Sequence, residues 1–201
     1  MMSAPYVIGV TGNIASGKST VRGILASLGA ATLDADRVVH KLYDLGDPVY
    51  SAVVREFGPR ILGQDAAIDR RVLGSIVFAD PDALRRLEAI VHPAVVAREW
   101  AWVAAQTVPV AVLEAVKLVE SGSAERCNAV WVVTASPDVQ HRRLLARSGI
   151  TEADAQRRLA AQPPLESKLA HATLVLTNDG TLDALQASVT AAWSALPDLS
   201  V

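Results

Sequence analysis

Tyr6-Val7-Ile8-Gly9-Val10-Thr11-Gly12-Asn13-Ile14-Ala15-Ser16-Gly17-Lys18-Ser19-Thr20 decides how the rest of the chain is read. Gly12 to Ser19 fits the pattern G-x-x-x-x-G-K-[ST], between an apolar run and a helical pattern. The run Tyr6 to Val10 has the uninterrupted apolar character of a buried parallel strand. Beyond the loop, Val21, Ile24, Leu25 and Leu28 recur at helical spacing and Gly29 supplies a stop. Glycine at 12 and 17 lets the backbone curl so that successive N–H groups point into one concavity, where the following helix adds the positive end of its dipole. Phosphate binds in such a place. Lys18 is then expected to reach the β- and γ-phosphates of a nucleotide as a point charge, and the Ser19 hydroxyl to ligate a magnesium ion bridging them. Thr20 continues the helix start. The alternative, a glycine-rich turn that precedes a lysine by chance, does not account for the flanking strand and helix.

With 201 residues, 51% of them hydrophobic, the chain suits one good core, with room for an inserted subdomain. A formal charge of -2 provides no basic footprint for nucleic acid, and no block of like charges suggests a membrane-surface patch. Neither partner is expected. Cys127 is the single cysteine, so there is no disulfide framework and no Cys/His metal spacing, which fits a reducing compartment. Met1 to Val10 lacks a signal-like pattern and no later segment has membrane-spanning length, so the expected address is the cytoplasm. The expected assembly is a monomer or weak homo-oligomer.

Apolar strand-like runs alternate with helical patterns, which predicts an α/β fold of the P-loop NTPase type: a parallel five-stranded sheet with helices on both faces. The strands are expected at Val7 to Thr11, Ala31 to Asp34, Val108 to Leu113, Ala129 to Thr134 and Thr173 to Thr177. Between the second and third lies an almost wholly helical interval, His40 to Gln106, with Leu84, Leu87, Ile90 and Val91 on one stripe and Pro93 restarting a helix. It is too long for a simple crossover and is read as a substrate-binding insertion. A helical pair, Val139 to Arg147 and Thr151 to Gln162, is joined across Gly149, with Thr151 and Asp154 forming a variant capping box. Leu182, Leu185, Val189 and Trp193 mark a closing helix. The expected organisation is a nucleotide-binding core of residues 1–39 and 107–201, an insertion of residues 40–106, and a lid of residues 138–165 within the core.

Asp34-Ala35-Asp36 falls at the end of the second strand. Alternation along a strand sends both carboxylates to one side, at the edge where ligands gather in open α/β sheets. Asp36 is expected to orient an acceptor hydroxyl and take its proton during phosphoryl transfer, and Asp34 to hold a magnesium-bound water. The alternative is that either caps a helix beginning at Arg37. Arg143 and Arg147 lie four apart and so share one helix face, which predicts a cationic clamp on the triphosphate; a solvated arginine-rich face is the alternative. Arg142 and Arg157 read as solvated.

Thr11 to Thr20, Asp34-Ala35-Asp36, Leu87-Glu88-Ala89-Ile90-Val91-His92-Pro93, Gln140-x-x-Arg143-Leu144-x-x-Arg147, Arg158-Leu159-x-x-Gln162 and Asn178-Asp179-Gly180, in this order, resemble dephospho-coenzyme A kinase. The resemblance spans nearly the whole chain. It implies ATP-dependent phosphorylation of the ribose 3′-hydroxyl of dephospho-coenzyme A, with ATP as donor. It also implies a nucleotide core, a helical coenzyme-binding domain and a lid. On the same basis Asp36 is the base, Thr11 and His92 belong to the substrate side, and Asn178 and Gly180 lie near the adenine. Two stretches depart from the family pattern. Glu114-Ala115-Val116-Lys117-Leu118-Val119-Glu120 stands where an aspartate and then Pro-Leu-Leu-Phe-Glu are usual, with Lys117 unexpected; Ala172-Thr173 replaces Ala-Asp, a change expected to touch only surface structure. A nucleotide-switch protein would need a guanine-reading N-K-x-D, and Thr177-Asn178-Asp179 lacks the lysine. A kinase for another small hydroxylated metabolite is the closer rival.

Overall fold

The computed structural model describes residues 4–147 and 149–198. In chain order the elements are β1 (Tyr6–Thr11), α1 (Lys18–Ser27), β2 (Ala31–Asp34), α2 (Ala35–Leu42), α3 (Pro48–Phe57), α4 (Arg70–Ala79), α5 (Pro81–Ala104) and β3 (Val110–Glu114). After them come β4 (Ala129–Thr134), α6 (Pro137–Leu145), α7 (Glu152–Ala160), α8 (Leu165–Leu169), β5 (Leu174–Thr177) and α9 (Leu182–Ser194). The backbone divides into two compact units, residues 1–34 with 103–201, and residues 35–102.

In the first unit all five strands are parallel, in the order β2-β3-β1-β4-β5. The three inner strands are almost wholly buried, which is why they read as unbroken apolar runs, whereas β2 and β5 lie at the edges. Ile8, Val10, Val112, Trp131 and Val133 point to one face, where Val21 and Leu25 of α1 and Leu185 and Val189 of α9 close the core. On the opposite face the chain after β3 packs so closely that a Cβ at Gly9 would lie 2.5 Å from Leu118 Cδ2 and 2.9 Å from Cys127 Sγ. The third strand starts at Val110, not Val108. Pro109 has no N–H to give; its carbonyl accepts from Tyr6 N at 2.8 Å and the ladder proper follows. Thr173 precedes β5, its hydroxyl bonding both the N–H and the C=O of Val130.

The second unit consists of α2 to α5. Asp47 caps α3 by accepting from Val49 N and also pairs with Arg98, while Asp69 caps α4 by accepting from Arg71 N and Val72 N. The structure corrects the reading of Pro93, since α5 runs through it from Pro81 to Ala104. Pro93 is exposed, and Val91 and Val95 on either side of it are buried, so packing holds the helix across the missing hydrogen bond. Leu182 also departs from expectation. It is 60% exposed at the first position of α9, and the buried stripe begins at Leu185.

Candidate active site

The loop between β1 and α1 has the backbone its glycines allow. Gly12 has φ 145° and Gly17 has φ 103°, both in the region that disfavours a side chain. A Cβ at Gly17 would lie 2.0 Å from Asn178 Nδ2. Ala15 also has positive φ, at 58°, and its methyl is buried against Leu144 of α6 and Ala155 of α7. The helical hairpin therefore packs on the loop and helps hold that conformation.

Carbonyl groups of the loop are tied to the scaffold. Asn13 O accepts from Lys18 Nζ at 3.0 Å, Ala15 O and Ser16 O each accept from Arg143 Nη1 at 3.3 Å, and Ser16 O accepts from Asn178 Nδ2 at 2.8 Å. Arg143 Nη2 further bonds Asn178 O at 3.0 Å and Oδ1 at 3.2 Å. On the other side, Ile14 N donates to Gln162 Oε1 at 2.9 Å. A loop whose carbonyls are taken up by side chains, followed directly by the first turn of a ten-residue helix, is built to present N–H groups to an anion. Asn13 Oδ1 and Ser16 Oγ are buried without a hydrogen-bond partner, polar atoms that a ligand would satisfy. Ser19 and Thr20 are exposed on the first turn of α1. Only 7% of Lys18 is accessible, and its ammonium rests on Asn13 O.

At the C-terminal ends of β2 and β3, Asp34 lies opposite Glu114 in register. Arg22 of α1 joins them, with Nε 2.5 Å from Glu114 Oε2 and Nη2 3.6 Å from Asp34 Oδ2. Burial pushes the Glu114 carboxyl above its ordinary range; Arg22 opposes the shift, Asp34 adds to it, and Lys18 opposes it. Asp34 and Asp36 do not share a strand face. β2 ends at Asp34 and α2 begins at Ala35, so Asp36 stands exposed in the first turn of a helix, in the unit of residues 35–102. The helix expected from Arg37 thus begins two residues earlier. His92 is half-buried in α5 of the same unit.

Arg143 and Arg147 do not share a helix face, since α6 ends at Leu145 and Arg147 is exposed in the turn beyond it. Ser148, the next residue, lies outside the described residues. Thr151 caps α7 through Asp154 N, as the capping box predicts. Arg157 pairs with Asp154 and Arg142 is exposed. Thr11 is fully buried, its hydroxyl donating to Val116 O at 3.3 Å. Asn178 is buried against the loop and Gly180 is exposed just before α9. Sequence reasoning gave no role to Arg22, Gln162 or Lys168. Gln162 was visible as part of a motif; Arg22 and Lys168 needed the sheet register and the tertiary packing.

A sequence model described as dephospho-CoA kinase matches residues 6–184. The chain belongs to the dephospho-CoA kinase family. A dephospho-CoA kinase of Symbiobacterium thermophilum is 47% identical over 192 residues, covering 94% of this chain and 80% of that protein. One from Geobacter sulfurreducens is 44% identical over 191 residues, covering 94% and 97%. Among solved structures, dephospho-CoA kinase from Campylobacter jejuni superposes with a TM-score of 0.68 at 27% identity, covering 94% of this chain and 96% of that one. The α/β fold is that of the family, and the loop just described lies inside the matched span. Among the described residues no helix is long and apolar enough to cross a membrane.

Proposed function

We propose that the chain transfers the γ-phosphoryl group of ATP to the ribose 3′-hydroxyl of dephospho-coenzyme A, giving coenzyme A and ADP. The observation that carries the reading is the loop of residues 12–17 in a family member, its carbonyls tied back by Lys18, Arg143 and Asn178. Its N–H groups and the Lys18 ammonium hold the β- and γ-phosphates. Asn178 and Gly180 border the adenine. The Asp36 carboxylate orients the 3′-hydroxyl and accepts its proton while the new O–P bond forms and the bond to the β-phosphate oxygen breaks, releasing ADP. Arg147, exposed at the end of the hairpin, neutralises charge on the transferring group, and Arg143 keeps the loop in shape for it.

Magnesium fits the donor set. The Ser19 hydroxyl and the Asp34 carboxylate are hard oxygen donors, and magnesium arriving with the nucleotide needs only one or two from the protein. It would supply charge neutralisation between the β- and γ-phosphates. Residues 40–106 grip the arm of the acceptor, with Thr11 and His92 on the substrate side, and residues 138–165 act as a lid. A cytoplasmic address and a monomer or weak homo-oligomer complete the reading. Steady-state ATP consumption tests it: turnover is expected with dephospho-coenzyme A and to be far slower with adenosine, because binding energy from the arm positions the reacting hydroxyl. Equal rates with adenosine, or without any acceptor, contradict it.

A further inference from the structure

Lys168 of α8 is fully buried and belongs to no part of the chemistry described above. Its ammonium donates to Val116 O at 2.7 Å and to Glu120 Oε1 at 2.7 Å. Burying a lysine is costly unless every contact compensates, so such a pair is poor evidence for stability alone. Its location is informative. Val116 O also accepts from Thr11 Oγ1, and Thr11 is the residue before Gly12. Ala115 N donates to Val10 O at 3.1 Å, so the chain leaving β3 stays zipped to β1 up to the phosphate loop. Next, Ser121 N donates to Lys117 O at 2.9 Å and Gly122 N to Val119 O at 3.0 Å, folding residues 116–122 into turns. This segment lies beyond the C-terminal ends of β1 and β3, the edge at which open α/β sheets take their ligands. Lys168 holds it at two points, residues 116 and 120.

We propose that Lys168 is a positioning residue for the phosphoryl acceptor: through Val116 O and Glu120 it fixes the turn of residues 116–122 in the shape that receives the acceptor, without touching any ligand. The inference rests on the kinase reading. The phosphate loop has further supports in Arg143, Asn178 and Gln162, so loss of the latch is expected to weaken the acceptor more than ATP.

The test is a KM-against-kcat split with three variants. Lys168→Met keeps the stem and removes the ammonium, but leaves Glu120 without its partner. Lys168→Met combined with Glu120→Met removes both charges, a change that often leaves stability unaltered or raised. Glu120→Gln keeps an oxygen for Lys168. Wild-type enzyme must first transfer phosphate to dephospho-coenzyme A; if it does not, the kinase reading fails and not this inference. Given that activity, the double variant is expected to melt near the wild type, with KM for the acceptor raised about tenfold or more, KM for ATP within about twofold, and Glu120→Gln nearer wild type. Wild-type acceptor KM in the double variant overturns the proposal. So does a double variant that is folded but equally impaired toward both substrates, or one that does not fold, because the pair would then serve stability alone.

Discussion

Arg22 stands between two carboxylates, and the balance it sets is measurable. Burial raises the Glu114 carboxyl and Asp34 raises it further, so Glu114 holds its proton to higher pH in the native chain than in the unfolded one. Between those two values the native state binds more protons, and stability therefore falls as pH rises from the ordinary carboxylate range through the raised value of Glu114. Glu114→Gln is expected to remove that part of the slope in denaturant unfolding followed against pH. Arg22→Ala, which takes away the opposing cation, is expected to move the Glu114 carboxyl signal in carbon NMR still higher; an unchanged or lower titration would contradict the assignment. Asp36 yields a different kind of prediction. It is exposed in the first turn of α2, so Asp36→Asn is expected to leave the fold intact and lower kcat about a hundredfold or more, with calorimetric ATP affinity little changed. Parallel losses of affinity and turnover would make Asp36 a nucleotide contact instead.

The hairpin of α6 and α7 is more closely joined to the phosphate loop than two arginines at helical spacing suggest. Ala15, with its positive φ, packs against Leu144 and Ala155, and Arg143 bonds two loop carbonyls. Arg143→Ala is therefore expected to raise KM for ATP as well as lower kcat. In a double-mutant cycle with Asn178→Ala the effects should fall short of additive by about 0.5–3 kcal/mol, because both side chains hold Ser16 O. Arg147→Ala is expected to lower kcat with little effect on ATP affinity, the mark of a contact made chiefly in the transition state. Additive effects of Arg143 and Asn178 would mean that each acts separately. At this scale the strands were legible: those inner runs are apolar on both faces, and Ala31–Asp34 and Ala129–Thr134 match residue for residue. The pleat drawn through Asp36 and the helix break at Pro93 were not, because a strand running straight into a helix and a helix held across a proline are decided by tertiary packing, not by local spacing. Lys168 was illegible for the same reason, since nothing in a five-residue helix marks its lysine as buried.

For the whole molecule, the order of motifs from Thr11 to Gly180 carried the family, and the family match over residues 6–184 agrees with it. The individual roles rest on different ground, since Asp36 and the loop belong to separate units of the chain. In the proposed reaction the acceptor hydroxyl has to come in line with the γ-phosphate held by the loop. The position that the transferred phosphate takes on the acceptor therefore decides the matter. Phosphorus NMR of the product formed from ATP and dephospho-coenzyme A measures this directly: a new monoester signal coupled to the ribose 3′ proton, growing in step with ADP, is expected, and a phosphate at any other position, or ADP formed without a phosphorylated acceptor, would overturn the proposed reaction.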